Sequence, residues 1–355
     1  MSPFPLVAAN KNGLYCAAGD FYIDPWQGVQ RAVITHAHGD HARAGSRRYL
    51  TVHSGRDILQ IRMGPDAEIE TVEYGESITL GGVQISLHPA GHILGSAQVR
   101  IEHRGQVCVV SGDYKTTPDA TAAPFETVKC HHFISECTFG LPIYRWPSEA
   151  EVFEQIHAWW QAEQAQGRTC ILLAYTLGKA QRILAGLDPS IGPILAHGAV
   201  LRLLPAYRAQ GIALPEVVHA GLEQARATKG RAIVIAPPSA AGSPWVKKFG
   251  PVSLAMASGW MQVRGTRRRK GLDRGFVLSD HADWQGLNEA VVATGAERVW
   301  LTHGSTGPMT RWLRERGLDA GAIATQFTGE ADEPEGAAAS DAADDATPPV
   351  SSEAP

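Results

Sequence analysis

The chain has 355 residues, enough for one large domain or two ordinary ones. Its 44% hydrophobic and 19% charged content reads as globular, and no apolar run approaches the ~20 residues of a membrane helix. The net charge of −4 misleads, because eight acidic residues and no basic one fall from Glu330 onward, leaving 32 basic against 28 acidic residues in the body.

Over the first 145 or so residues, short strands joined by Gly-rich turns are expected. Val33-Ile34-Thr35 reads as the end of a buried strand, and residues 83–87 alternate with period two. Residues 106–111 form a further strand stopping at Gly112-Asp113, and 133–135 another stopping at Glu136. Polar residues sit just past these strand ends, where rigid scaffolds hold functional loops. After Pro147 the pattern changes. Ser148 and Glu151 make a capping box for a helix whose Val152, Ile156 and Trp159 share a face up to about Gly167. A β-rich run at 169–175 leads to a helix opening after Gly178. Residues 194–196 and 232–236 look like buried parallel strands with helical segments between them. From Gly275, strands ending in polar residues return at 276–279 and 298–302.

The tail, 329–355, has too little apolar content to offset the entropy of folding and is expected to be disordered. Five scattered cysteines without a C-x-x-C pair fit reduced thiols, and Met1 to Asn10 shows no basic segment leading into an apolar stretch. A cytoplasmic location is expected.

The strongest signal is Thr35-His36-Ala37-His38-Gly39-Asp40-His41. A single histidine is more often structural or merely exposed. Three imidazoles and a carboxylate within six residues, just after a strand, point instead to metal. Alternate residues can face one ion while the next pair faces a second, because a tight turn redirects the chain. Imidazole nitrogen and carboxylate oxygen suit zinc, manganese or iron. Two ions need more ligands than this segment supplies. Candidates are His92 in Ala90-Gly91-His92, Asp113 in Gly112-Asp113-Tyr114 and His303 in Thr302-His303-Gly304. Each follows an apolar strand and is flanked by small residues that allow close backbone approach.

These segments, in this order, resemble the metallo-β-lactamase fold. Glu136 in Ser135-Glu136-Cys137-Thr138 and His281 in Ser279-Asp280-His281-Ala282-Asp283 are similar to motifs of its β-CASP nuclease branch. More narrowly, Gly19-Asp20-Phe21-Tyr22-Ile23-Asp24-Pro25-Trp26, Gly140-Leu141-Pro142-Ile143-Tyr144-Arg145-Trp146 and Ala257-Ser258-Gly259-Trp260-Met261-Gln262 resemble the bacterial ligase-associated DNA damage response exonucleases. So do residues 264–269, and the resemblance runs from about 13 to 328.

The resemblance implies an α/β protein: an αββα sandwich formed by 1–147 and 266–328, interrupted by an inserted α/β cap at 148–265. It also implies two divalent ions, zinc or manganese. His36, His38, His92 and Asp113 would hold the first, and Asp40, His41, His303 and the shared Asp113 the second. Asp24 matches a carboxylate that orients a ligand, although a turn cap before Pro25 is the plainer reading. Asp283 takes a similar supporting place. Asp40, Glu136 and His281 are the implied catalytic residues. His281 would stabilise or protonate the leaving oxygen, while Glu136 orients its imidazole and raises its pKa.

Arg264, Arg267, Arg268, Arg269, Lys270 and Arg274 crowd the approach to His281 in sequence, which in so mildly positive a body reads as a phosphate track. Trp245, Trp260 and Trp284 could stack on unpaired bases, though core packing is the commoner use of tryptophan. Gly178-Lys179 opens a helix whose N–H groups, with the lysine, could hold a chain-end phosphate. Ser258 could assist, since its Ser-Gly-Trp turn is similar to a segment of Artemis-type DNA nucleases. The resemblance therefore implies an exonuclease on DNA, single-stranded or with a free end, leaning to 5′ polarity. It further implies a link to a DNA ligase and helicase in repair, and no membrane. His303 points the other way, because histidine there is typical of RNA-processing β-CASP proteins where Artemis-like enzymes carry valine. An RNA-processing ribonuclease, a small-molecule metallo-hydrolase and a metal-free scaffold stay open as alternatives. The cap-sized insertion and the Glu136/His281 pair argue against the second, and the complete ligand set argues against the third.

Overall fold

The computed structural model describes residues 6–263, 265 and 271–326; the tail expected to be disordered lies outside them. Three sheets organise these residues. The first has six strands in chain order, from Ala8–Asn10 to Ile69–Val72. The second has seven, ordered Asp319–Ala322, Arg298–Gly304, His132–Cys137, Gln106–Val110, Ala97–His103, Val83–Pro89 and Ser77–Leu80.

These two sheets face each other because their strands alternate. In Val83–Pro89, Val83, Ile85 and Leu87 are buried while Gln84 is exposed. Leu14, Ile23, Val33 and Val52 of the first sheet meet Ile85, Val99, Ile101 and Val110 of the second in one core. Helices Trp284–Thr294 and Thr306–Glu315 cover the far face of the second sheet, packing Leu287, Val291, Met309 and Leu313 on Val109, Phe133, Val299 and Leu301. Helix Arg56–Met63 lays Ile58 and Leu59 on the far face of the first, against Ala32 and Tyr49.

The third sheet is wholly parallel, ordered Val218–His219, Ile194–Ala196, Ile233–Ala236, Thr169–Leu173, Val252–Ala257 and Arg274–Phe276. Parallel strands are covered on both faces, which is why 232–236 reads as an unbroken apolar run. Helices Glu149–Ala165 and Lys179–Gly186 bury Ile156, Trp160, Ile183 and Leu184 on one face. Ala225, Phe249 and Met261 fill the other. The expected capping box is formed: Ser148 Oγ accepts from Glu151 N at 3.3 Å, and Glu151 Oε2 accepts from Ser148 N at 2.9 Å.

One element departs from expectation. Strand Arg274–Phe276, placed by sequence beyond the inserted unit, pairs with Val252–Ala257 at the edge of the third sheet. Phe276 docks there against Trp159, with ring centroids 5.5 Å apart. An apolar pattern announces a strand but not the edge that will accept it. Among the described residues no helix is long and apolar enough to cross a membrane, and all five cysteines are buried free thiols.

Trp160 is fully buried, and its Nε1 donates to Arg231 O at 2.9 Å. Trp160→Ala leaves a cavity and removes one of the two donors to Arg231 O, the other being Gln164 Nε2 at 2.6 Å, and is expected to cost about 3–5 kcal/mol. Urea denaturation checks this, and an unchanged midpoint would contradict the packing described here.

Candidate metal centre

Strand ends from both sheets of the sandwich deliver the site. The Thr35–His41 segment leaves Arg31–Val33, while His92 follows Val83–Pro89 and Asp113 follows Gln106–Val110. Glu136 and His303 lie near the ends of His132–Cys137 and Arg298–Gly304, which are paired parallel. Gly112 adopts φ +57°, and a Cβ there would sit 2.6 Å from Thr35 Cβ. Only glycine lets the loop bearing Asp113 lie against the loop bearing His36.

Asp113 is the common member of three clusters: with His36, His38 and His92; with His41 and His303; and with Glu136 and His281. In each, the potential donor atoms lie within 4.8 Å of one another. Asp113 Oδ1 is 2.6 Å from His303 Nε2, and its Oδ2 is 3.4 Å from His41 Nε2, 3.5 Å from His36 Nε2 and 3.9 Å from His92 Nε2. Asp40 Oδ2 lies 3.7 Å from His41 Nε2, on the second cluster's side.

The imidazoles are oriented from outside. His38 Nε2 faces Leu177 O at 3.1 Å, and His92 Nδ1 faces Asp280 O at 2.8 Å. A carbonyl only accepts, so both nitrogens must carry hydrogen. The inward atoms, His38 Nδ1 and His92 Nε2, are then lone-pair nitrogens, 3.0 Å apart. Two lone pairs at that distance repel unless a proton or a cation sits between them. Burial, with His281 and His38 nearby, pushes the His92 pKa well below the ordinary value, which disfavours the proton. His36 Nε2 is likewise buried without a hydrogen-bond partner among the described residues. This donor set fits divalent ions of the zinc or manganese kind.

Asp24 stands behind the second cluster. Its Oδ2 lies 2.7 Å from His41 Nδ1 and accepts from Thr35 Oγ1 at 2.6 Å, while Oδ1 accepts from Thr35 N at 2.8 Å. It is buried, at φ +44°, and therefore does more than cap a turn before Pro25. Thr35, which sequence reasoning passed over, ties Asp24 to the His36 ring at 3.0 Å.

Glu136 is saturated. It accepts from Tyr114 N at 2.8 Å, Thr138 N at 3.3 Å and Thr138 Oγ1 at 2.5 Å, with His281 Nδ1 at 2.9 Å. Burial disfavours a charged His281, but the Glu136 and Asp113 carboxylates outweigh it and raise the pKa to about 9. Burial also resists ionisation of Asp113, yet His41, His303 and His281 hold its pKa well below the usual carboxylate range.

Several expected contacts fall elsewhere. Lys179 is fully buried with Nζ 3.3 Å from Asp280 Oδ2, so it is committed to an ion pair rather than offered to a chain-end phosphate. An unpaired ammonium at that depth would be too costly. Gly178 N is also taken, by Gln181 Oε1 at 2.8 Å. Ser258 is buried and accepts from Trp260 N at 3.3 Å, capping a short turn instead of facing a ligand. Asp283 caps helix Trp284–Thr294 through Gly286 N at 2.8 Å and accepts from Trp146 N at 3.1 Å, so it braces the loop of His281 and not a ligand imidazole. Trp245, Trp260 and Trp284 pack against Phe249, Phe139 and Trp312. Arg264, Arg267, Arg268, Arg269 and Lys270 lie outside the described residues.

The chain is 32% identical over 314 residues to a probable DNA ligase of Opitutus terrae, covering 88% of this chain and 30% of that protein. It is 30% identical over 125 residues to endoribonuclease YSH1 of Saccharomyces cerevisiae, covering 34% of this chain and 16% of that one. A similar stretch, 30% identical over 152 residues, matches cleavage and polyadenylation specificity factor subunit 3 of Dictyostelium discoideum, over 41% of this chain and 18% of that one. The chain spans less than a third of the length of each of these relatives. No protein-family model matches it. In fold it is similar to a protein of unknown function from Enterococcus faecalis V583, with TM-score 0.52 and 12% identity over 76% of this chain and 74% of that one.

Gly112→Ala forces both a left-handed alanine and a clash with Thr35, and is expected to cost about 1–3 kcal/mol. Thermal unfolding measures it; full retention of stability would show that the two loops need no such close approach.

Proposed function

We propose that this chain is a metal-dependent nuclease that hydrolyses phosphodiester bonds in DNA. We read its body as a metallo-β-lactamase αββα sandwich, and its third sheet, from about 148 through Arg274–Phe276, as a β-CASP-type cap. The observation carrying this reading is the convergence of six imidazoles, those of His36, His38, His41, His92, His281 and His303, on one carboxylate, Asp113. His36, His38, His92 and Asp113 would hold one ion; Asp40, His41, His303 and Asp113 would hold the other. Bound divalent ions would supply water activation and charge neutralisation at a phosphodiester.

The chain's own residues do the rest. Glu136 takes His281 Nδ1–H and keeps the imidazole charged, leaving Nε2 to give a proton to the departing oxygen. The buried ring of Phe139 packs beside His281, at 5.9 Å between centroids.

Similarity over most of the chain to a probable DNA ligase favours DNA over RNA as the substrate; end-processing exonuclease activity in repair and a ligase partner rest on the sequence resemblance. A helicase partner, 5′ polarity, a single-stranded or free-ended substrate and a cytoplasmic setting rest on the sequence resemblance. A ribonuclease reading draws on His303 and on relatives named endoribonucleases. Matched single-stranded DNA and RNA, labelled at either end, separate the two. Stepwise shortening of DNA from its 5′ end is expected, and cleavage of RNA with DNA intact would overturn the reading.

In the same assay His281→Ala is expected to lower turnover ~10²–10⁴-fold at unchanged metal content. Loss of metal together with activity would make His281 a ligand instead. Glu136→Gln removes the charge that raises the His281 pKa to about 9. The protonated form is present below that pH and lost above it, so the alkaline limb of kcat should move to lower pH in the variant. A superimposable pH profile would deny the pairing any role in proton transfer.

A further inference from the structure

Two of the three imidazoles in the first cluster are oriented by groups set on the third sheet's side of the molecule. Leu177 O, which meets His38, ends the turn before helix Lys179–Gly186. Asp280 O, which meets His92, belongs to the segment after Arg274–Phe276. The Asp280 carboxylate is gripped by that same helix: Oδ2 lies 3.3 Å from Lys179 Nζ, and Oδ1 accepts from Arg182 Nη1 at 3.3 Å. Arg182 also donates to Ser279 O, the carbonyl just before. The Arg182 fork is held in turn by Glu149 Oε2, at 2.7 Å from Nη2, and by Asp119 Oδ2, at 3.7 Å from Nε. Lys115 Nζ closes the cluster, 3.5 Å from Asp119 and 3.9 Å from Glu149. Three cations and three carboxylates thus balance in one layer, in which every side chain but that of Glu149 is largely withdrawn from solvent.

The turn leaves no slack. Gly178 has φ +88°, and a Cβ there would lie 2.2 Å from Ile93, the neighbour of His92. In the second cluster, by contrast, His41 is oriented by Asp24 within the sandwich.

We propose that Lys179 and Arg182 are positioning residues that, through Asp280, fix which nitrogen of His92 faces the metal, so that docking of the third sheet and binding of the first ion are one event. The proposal rests on reading His38 and His92 as metal ligands. Aligned groups behind a ligating histidine typically contribute 10–100-fold in metal affinity. Weakening the grip on Asp280 therefore weakens the first ion, while the second keeps its Asp24-oriented imidazole.

Zinc uptake by the full chain, titrated against a competing chelator, tests this in Lys179→Met and Asp280→Asn, with Asp24→Asn as the mirror case. Wild type is expected to take up two ions per chain. Lys179→Met and Asp280→Asn should bind one of them 10–100-fold more weakly and the other normally, and Asp24→Asn should weaken the opposite one. The retained ion reports an intact fold. In metal-free protein, nitrogen NMR should show His92 protonated only at Nδ1 in wild type and as a tautomer mixture in the two grip variants. Two ions held at wild-type affinity in both variants, with an unchanged His92 tautomer, would overturn the proposal and leave the metal reading intact. Equal weakening of both ions would reduce the grip to holding the fold and would also overturn it. A wild-type chain that takes up no zinc at all would defeat the metal reading, and the proposal with it.

Discussion

Six imidazoles, five of them on buried residues, cluster around one carboxylate across distances of a few ångströms. Asp113 alone cannot hold such a set. Where each outer ring nitrogen meets an oxygen, as at Leu177 and Asp280, the inner one is left as a lone pair. Lone pairs turned inward on one another repel, so the native geometry stores a demand for positive charge at its centre. That demand ties metal affinity, imidazole orientation and the stability of the loops into a single problem.

The two halves of the problem are solved differently. His41 is oriented by Asp24, just past strand Phe21–Ile23 of the first sheet, through a network closed by Thr35. His38 and His92 are oriented by backbone carbonyls whose positions depend on the third sheet and on a buried layer of ion pairs. Buried ion pairs add little net stability because desolvation offsets their attraction, but breaking one partner out is severe. Their use here is geometric: they place Asp280 with little freedom, and Asp280 lies beside His281 as well as behind His92.

His281 meets opposite pressures in the same pocket. Burial works against its charge, and Glu136 more than restores it. Glu136 is itself pinned by Tyr114 N and Thr138, so the pair is rigid before any substrate arrives. A proton kept on a buried imidazole by a fixed carboxylate is suited to a leaving group that develops negative charge.

Much of this was legible in the amino-acid order. The dense histidine segment, the strand-end positions of His92, Asp113, Glu136 and His303, and the capping box at Ser148 are local signals, because spacing and flanking small residues are enough to reveal them. Lys179 and Ser258 were expected to hold a chain-end phosphate, and Asp283 to support the site, from local pattern and resemblance. The structure gives them other work, an ion pair with Asp280, a turn cap and a helix cap. Partner choice for a buried charge depends on contacts across some hundred residues, which no local pattern encodes. The same holds for strand Arg274–Phe276, whose neighbour is set by which sheet edge stands open. Sequence thus determined which groups could do chemistry. Tertiary structure decided which nitrogen of each imidazole faces inward, because that depends on acceptors such as Leu177 O, 139 residues from His38 along the chain.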